Sequence, residues 1–278
     1  MLLNTINAEW IKMRSTRSFY WTTALIVLFT VGWSLLMGFA NGYAWQDAVD
    51  SGNAEDLASL GDPADLFDVS TAVSGLQLFG IMIVIIQAVI LVTGEYGNGT
   101  AKLSALAAPR RWQLPVAKSL VYGVIVAVLF LIMSVVSVWL TALTATAQVE
   151  DSSITEELSM SADGAWSVVL LMVLASVLIV MVSVGVGYLL RRTAGAVALL
   201  LLWVLLLEDL VGMIPKVGDW VTPYLPFKNM NAAISQSALA DAPWGVGGSV
   251  VYFVVFSVIL LWYAVLMLRA YNGARGKP

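Results

Sequence analysis

GEYGNGTAKLSALAAPRRWQLPVAK, residues 94–118, is a polar, basic stretch held between two long apolar runs. If both runs cross a bilayer, it is a surface loop between two spans, and the topology of the whole chain follows from it. Asn98 and Thr100 are candidate N-caps for a short helix reaching about Ala107. Pro109 stops that helix, because a residue preceding proline is pushed out of the α region. Leu103, Leu106 and Ala107 fall at i, i+3 and i+4 and so share one face. The reading is a two-turn helix with a small apolar knob, followed by Arg110, Arg111 and Lys118. A knob of this kind suits docking of a helix into a groove on another protein.

Composition supports a membrane setting. The chain has 278 residues, 60% hydrophobic and 12% charged, with a mean hydropathy of +0.87; soluble domains carry about a quarter charged residues. With neither cysteine nor histidine, it cannot build disulfides, thiolate or imidazole metal sites, or His-based catalytic dyads and triads. No GxxxxGK[ST] motif occurs, the nearest approach being Gly97 to Lys102, so a nucleotide, if one is used, binds elsewhere. No cofactor, metal or nucleic acid is expected on this chain.

The predicted fold class is an all-α integral membrane protein with six transmembrane helices, at about 19–40, 71–93, 119–145, 166–190, 193–214 and 248–268. Each run approaches the ~20 apolar residues needed to cross a hydrocarbon core of ~30 Å. The first is too long for the h-region of a signal peptide and is read as retained. Residues 1–18 place Ile6, Trp10 and Met13 opposite Lys12, Arg14 and Arg17, an amphipathic stripe fit for the membrane interface or an ordinary juxtamembrane tail. Region 215–247 alternates short apolar clusters with Pro223, Pro226, Pro243, Gly245 and Gly247. Short half-helices that re-enter the outer leaflet suit that pattern.

Charge fixes the expected orientation. Lys12, Arg14, Arg17, Lys102, Arg110, Arg111, Lys118, Arg191, Arg192, Arg269, Arg275 and Lys277 fall on the side of both termini; only Lys216 and Lys228 fall opposite, with sixteen of the 18 acidic residues. The positive-inside rule then places both termini in the cytoplasm.

Within the opening stretch, Gly94-Glu95-Tyr96, Gly99-Thr100, Leu106, Ala108-Pro109-Arg110-Arg111 and Ala117-Lys118 resemble the cytosolic loop of ABC-2 type transporter permeases, the membrane subunits of bacterial ABC exporters. The resemblance implies that 94–118 carries a coupling helix seated on a separate ATPase subunit, which would hold the ATP and Mg. It also implies an N-terminal elbow helix over 1–18, extracellular re-entrant helices between spans five and six, a second permease chain and the bacterial plasma membrane. On this basis Glu95, Tyr96, Thr100, Leu103, Leu106, Arg110 and Arg111 are candidate ATPase-coupling residues. For Tyr96, Leu103 and Leu106 the alternative is a helix lying on lipid headgroups. Glu95 is expected to pair with the ATPase, with Arg14 or Arg17, or with solvent. The arginines serve equally as topology anchors and anionic-lipid contacts.

Inside the spans, Gln77 and Gln87 are candidates for a translocation path or for interhelical hydrogen bonds. Glu208 and Asp209 suit an outer gate, an attractor for cationic cargo, or two solvated carboxylates at a helix end. No other Asp, Glu, Lys or Arg falls in a span, which disfavours proton-coupled carriers and intramembrane enzymes. Three functions remain: a permease subunit of an ATP-driven exporter for lipid, peptide, drug or similar cargo; an ATP-independent facilitator or sodium-coupled carrier; and a non-transporting scaffold or sensor.

Overall fold

The structure, a computed structural model, describes residues 2–52, 54–101, 104, 112–240 and 242–275. Among them every regular element is helical. The helices are α1 (Leu2–Arg14), α2 (Arg17–Ser51), α3 (Ala54–Leu60), α4 (Pro63–Leu66), α5 (Val69–Ala72), α6 (Ile81–Gly97), α7 (Gln113–Thr146), α8 (Ala165–Leu190), α9 (Thr193–Leu202), α10 (Glu208–Gly212), α11 (Gly218–Val221), α12 (Pro226–Ile234) and α13 (Val246–Arg275). Two π-helical turns, Leu76–Gly80 and Trp203–Leu207, are built into the second and fifth long helices. Six helical runs among the described residues are long and apolar enough to cross a membrane: Arg17–Ser51, Pro63–Gly97, Gln113–Thr146, Ala165–Leu190, Thr193–Gly212 and Val246–Arg269. The protein is an all-α, multi-pass membrane protein.

The chain divides into two compact units. One comprises Thr23–Ile81 and Val128–Val173; the other comprises Met1–Thr22, Met82–Ala127 and Leu174–Pro278.

In the first unit, α2 continues well past the apolar window that ends near residue 40. Its 35 residues reach about 52 Å at 1.5 Å per residue. Hydropathy does not carry it that far; packing does. Gly38 and Gly42 let α2 lie directly against α7. A Cβ on Gly42 would stand 2.9 Å from Gln148 Cβ and 3.0 Å from the Ala145 carbonyl oxygen, and one on Gly38 would collide with Thr144 Oγ1 and the Thr141 carbonyl oxygen. Ser34 Oγ donates to Ser137 Oγ at 3.0 Å, and Thr141 Oγ1 donates to the Ser34 carbonyl at 3.3 Å. The segment 41–70, which lies between the first two predicted spans, is helical through Ser51 and again in α3, α4 and α5. Asp62 and Asp68 cap the last two, accepting from Ala64 N at 2.9 Å and Thr71 N at 2.7 Å. Trp45, Phe67, Val73, Val149, Leu158 and Ala165 share the apolar core beneath these turns.

Gly38→Val is expected to destabilise the chain by about 1–3 kcal/mol, since the obstruction includes backbone that cannot rotate away. Gly32→Val, where an added Cβ meets nothing within 4 Å, is the control expected to be near neutral. Unfolding midpoints in detergent measure both.

In the second unit, α8 packs through its small residues. Gly187 admits Val92 of α6, whose Cβ would lie 3.1 Å from an added methyl, and Gly185 admits the backbone of α13 at Leu260. Ser183, one turn before Gly187, is fully buried. The Ser183/Gly187 spacing thus belongs to a close helix contact.

Candidate functional site

The polar stretch read first is rooted in the second unit, where α6 ends and α7 begins. Of its candidate residues, Leu103, Leu106, Arg110 and Arg111 lie outside the described residues. Glu95, Tyr96 and Thr100 lie within them, and their surroundings define the site.

Glu95 does not reach for Arg14 or Arg17. Lys118 Nζ donates to Glu95 Oε1 at 2.7 Å and to Glu9 Oε2 at 2.6 Å. Lys12 Nζ donates to the same Glu95 oxygen and lies 3.5 Å from Glu9 Oε1 and 3.3 Å from Ser104 Oγ. Two carboxylates and two ammoniums thus neutralise one another. Three of the four are buried, with Lys118 1% exposed, Glu9 5% and Glu95 8%. Charges so far from water persist only when paired and hydrogen-bonded. Burial opposes the charge on Lys12, but the hydrogen bond to Glu95 and the charges of Glu9 and Glu95 outweigh it and hold its pKa above the usual lysine value.

This cluster decides how α1 faces the rest of the unit. Its buried positions are Thr5, Glu9 and Met13, at i, i+4 and i+8, with Ile6 beside them. Trp10 turns outward at 44% exposure, together with Leu3 and Ile11. The stripe Ile6, Trp10 and Met13 expected from apolarity alone is therefore split between two faces. The inward face is centred on Glu9, whose partner outside α1 is Lys118 of α7. Glu9 was missed on sequence, although a signal existed: with sixteen acids on one side, Glu9 and Glu95 are the two left on the basic side. Both are spent on Lys118.

Next to the cluster, Tyr96 packs edge-on against Tyr188, ring centroids 6.4 Å apart, and carries the Arg191 guanidinium 5.5 Å from its ring centre. Arg191 takes a left-handed backbone (φ 55°) just past the end of α8, and its amide donates to the Gly187 carbonyl at 2.9 Å. Thr93 and Thr193 hydroxyls meet at 2.8 Å, linking α6 to the start of α9. The Thr100 hydroxyl donates to the Glu95 carbonyl oxygen at 3.4 Å, bringing the chain back over the end of α6.

The in-span candidates separate. Gln77 sits on the π turn of the first unit; Gln87 is fully buried in α6 of the second, and neither of its amide atoms has a hydrogen-bond partner among the described residues. Glu208 is not a solvated carboxylate. It is 3% exposed, and its two oxygens accept from Trp203 Nε1 at 2.8 Å, Phe227 N at 3.1 Å and Lys228 N at 2.7 Å. Pro226 has no amide hydrogen to offer, and Leu225 supplies no side-chain cap. Glu208 therefore caps α12 from another element, with its charge set against the positive end of the helix dipole. Asp209 instead forms an exposed ion pair with Lys228.

Around the same helix, Asn229 Nδ2 donates to the Pro223 and Leu225 carbonyls at 2.8 and 2.9 Å, and its Oδ1 accepts from Trp244 Nε1 at 3.0 Å. Tyr252 Oη donates to the Tyr224 carbonyl at 2.6 Å. These bonds tie segment 218–234 to the long helices on either side of it. Sequence marked Glu208 and Asp209 as unusual; that one is a cap and the other a surface partner depends on a fold-back that no local pattern encodes.

A helical chain with six runs, among the described residues, long and apolar enough to cross a membrane belongs to the class of multi-pass membrane proteins. Over residues 5–206 the sequence matches the family described as ABC-2 family transporter protein, and the chain belongs to that family. No curated protein matches it. The matched segment begins in α1, includes Glu9, Glu95 and Lys118, and ends within the π turn that precedes Glu208.

Proposed function

We propose that the chain is the permease subunit of an ATP-driven exporter, working with a separate ATPase subunit and a second permease chain in the bacterial plasma membrane, with both termini cytoplasmic. The observation that carries this reading is the family match over residues 5–206. The lack of any P-loop in the sequence supports placing the nucleotide in a partner. In this reading α1 is the elbow helix, segment 94–118 bears the coupling helix, and α11 and α12 form the re-entrant region. The nine residues of α12 reach only about 14 Å, less than half a bilayer core.

ATP closes the ATPase dimer, the coupling helices follow, and the spans exchange one packing for another. Nucleotide shifts that equilibrium only by the amount it favours the closed state. The cargo is amphipathic, of the lipid, peptide or drug type, and leaves between the two chains.

The test is transport in vesicles holding the chain and an ATP-hydrolysing partner purified with it. ATP-dependent export is the expected result. Equal transport by the chain alone, without nucleotide, overturns the proposal. Replacing Leu103 and Leu106 by Asp is expected to reduce ATP-dependent transport by about tenfold or more, while leaving membrane insertion intact, because two buried anchor contacts of a docked helix become charged.

A further inference from the structure

We infer that Lys118 is the pin of a joint locking α1, the end of α6 and the start of α7 into one body, so that a displacement applied to the loop between α6 and α7 is carried straight to the N-terminal helix. The second half of that statement rests on the exporter reading; the first does not.

Each of the three helices contributes one buried charge, Glu9, Glu95 and Lys118. Lys118 bridges both acids, and Lys12 closes the group from the side. Pulling α7 away takes Lys118 from both carboxylates, pulling α6 away takes Glu95 from both ammoniums, and pulling α1 away breaks the Lys118–Glu9 and Lys12–Glu95 pairs together, so the three are held in one arrangement more firmly than by greasy contact, which tolerates sliding. The neighbours of these charged residues along the chain are buried too, Met13 being 2% exposed and Ala117 and Val121 also out of solvent. The connection onward is short. Only Ser15 and Thr16 separate α1 from α2, and both hydroxyls donate to the Lys12 carbonyl at 2.8 Å, so a shift of α1 reaches the first long helix with little slack. Lys118 is thus a positioning residue. The outward face with Leu3, Trp10 and Ile11 remains free for lipid, but α1 does not float on that lipid independently.

The natural absence of cysteine makes the test direct. Asn7→Cys on α1 and Asn98→Cys past α6, both at exposed positions, are spin-labelled in the full-length chain in lipid nanodiscs. The expected result is a single narrow distance, replaced by a broad distribution in the E9Q/E95Q/K118M variant, which keeps side-chain size and leaves only the half-exposed Lys12 charged. If that variant fails to insert, Glu9→Ala combined with Lys12→Met serves: it removes both charges that α1 brings to the group and leaves Lys118 paired with Glu95. In the complex with an ATPase, the wild-type distance is expected to stay constant between nucleotide-free and ATP-bound forms.

An unbroadened distance in the variant overturns the joint, as does a wild-type distance that shifts with nucleotide. Neither result bears on whether the wild-type chain exports with ATP. Conversely, the measurement on the chain alone needs no ATPase and survives if that reading fails.

Discussion

Lys118→Met is expected to destabilise the protein by about 3–5 kcal/mol, the usual cost of stranding buried charge by removing one partner. The substitution fits the space of the aliphatic stem but leaves Glu9 and Glu95, 5% and 8% exposed, repelling one another with only Lys12 to share. The E9Q/E95Q/K118M variant is expected to recover most of that loss, because a neutral, well-packed group often matches a buried ion pair in stability. Lys12→Met is expected to cost less than about 1 kcal/mol, since a half-exposed pair is screened by solvent; its side chain is 44% exposed. The three variants are compared by unfolding midpoint in detergent, followed through tryptophan fluorescence. Equal losses for Lys118→Met and Lys12→Met would mean that the group is open to water in the working protein.

That ranking rests on burial, which the sequence did not reveal. Six apolar runs and their segregated charges were legible because hydropathy and the positive-inside bias act along the chain and need no knowledge of folding. The stretch 94–118 stood out for the same reason. Helix ends were less legible. The α2 helix outlasts its apolar window because Gly38 and Gly42 seat it on α7, and a contact between residues about a hundred apart leaves no mark in a local window. Glu9 illustrates the same limit at the site. A helical wheel that counts only apolar residues assigns Ile6, Trp10 and Met13 to one face, but the pairing of Glu9 with Lys118 of α7 and of Lys12 with Glu95 of α6 turns α1 so that Thr5, Glu9 and Met13 face inward. Charge pairing overrides the greasy stripe because an unpaired buried carboxylate costs more than an exposed tryptophan.

Glu208→Ala is expected to be comparably severe, at about 3–5 kcal/mol, because three donors, one buried and two part-buried, lose their acceptor together and each orphan costs about 1–3 kcal/mol when water cannot replace it. The donors are Trp203 Nε1 and the amides of Phe227 and Lys228. Without them α12 has no N-terminal cap: Pro226 has no amide hydrogen and Leu225 no side-chain acceptor. The ring cluster of Trp203, Phe227, Phe253 and Phe256, with centroids 5.7 to 6.4 Å apart, is built on the same indole that Glu208 holds, so its packing should loosen as well. Glu208→Gln keeps the shape and one carbonyl acceptor but brings an amide that competes as a donor, and an intermediate loss is expected. Asp209→Ala is expected to change stability by less than about 1 kcal/mol, its pair with Lys228 being exposed. A gate makes the opposite demand. If Glu208 served to admit or repel cargo, Glu208→Ala would alter which solutes are transported while leaving the unfolding midpoint in place, because a residue that must open cannot also be the acceptor on which a helix end depends.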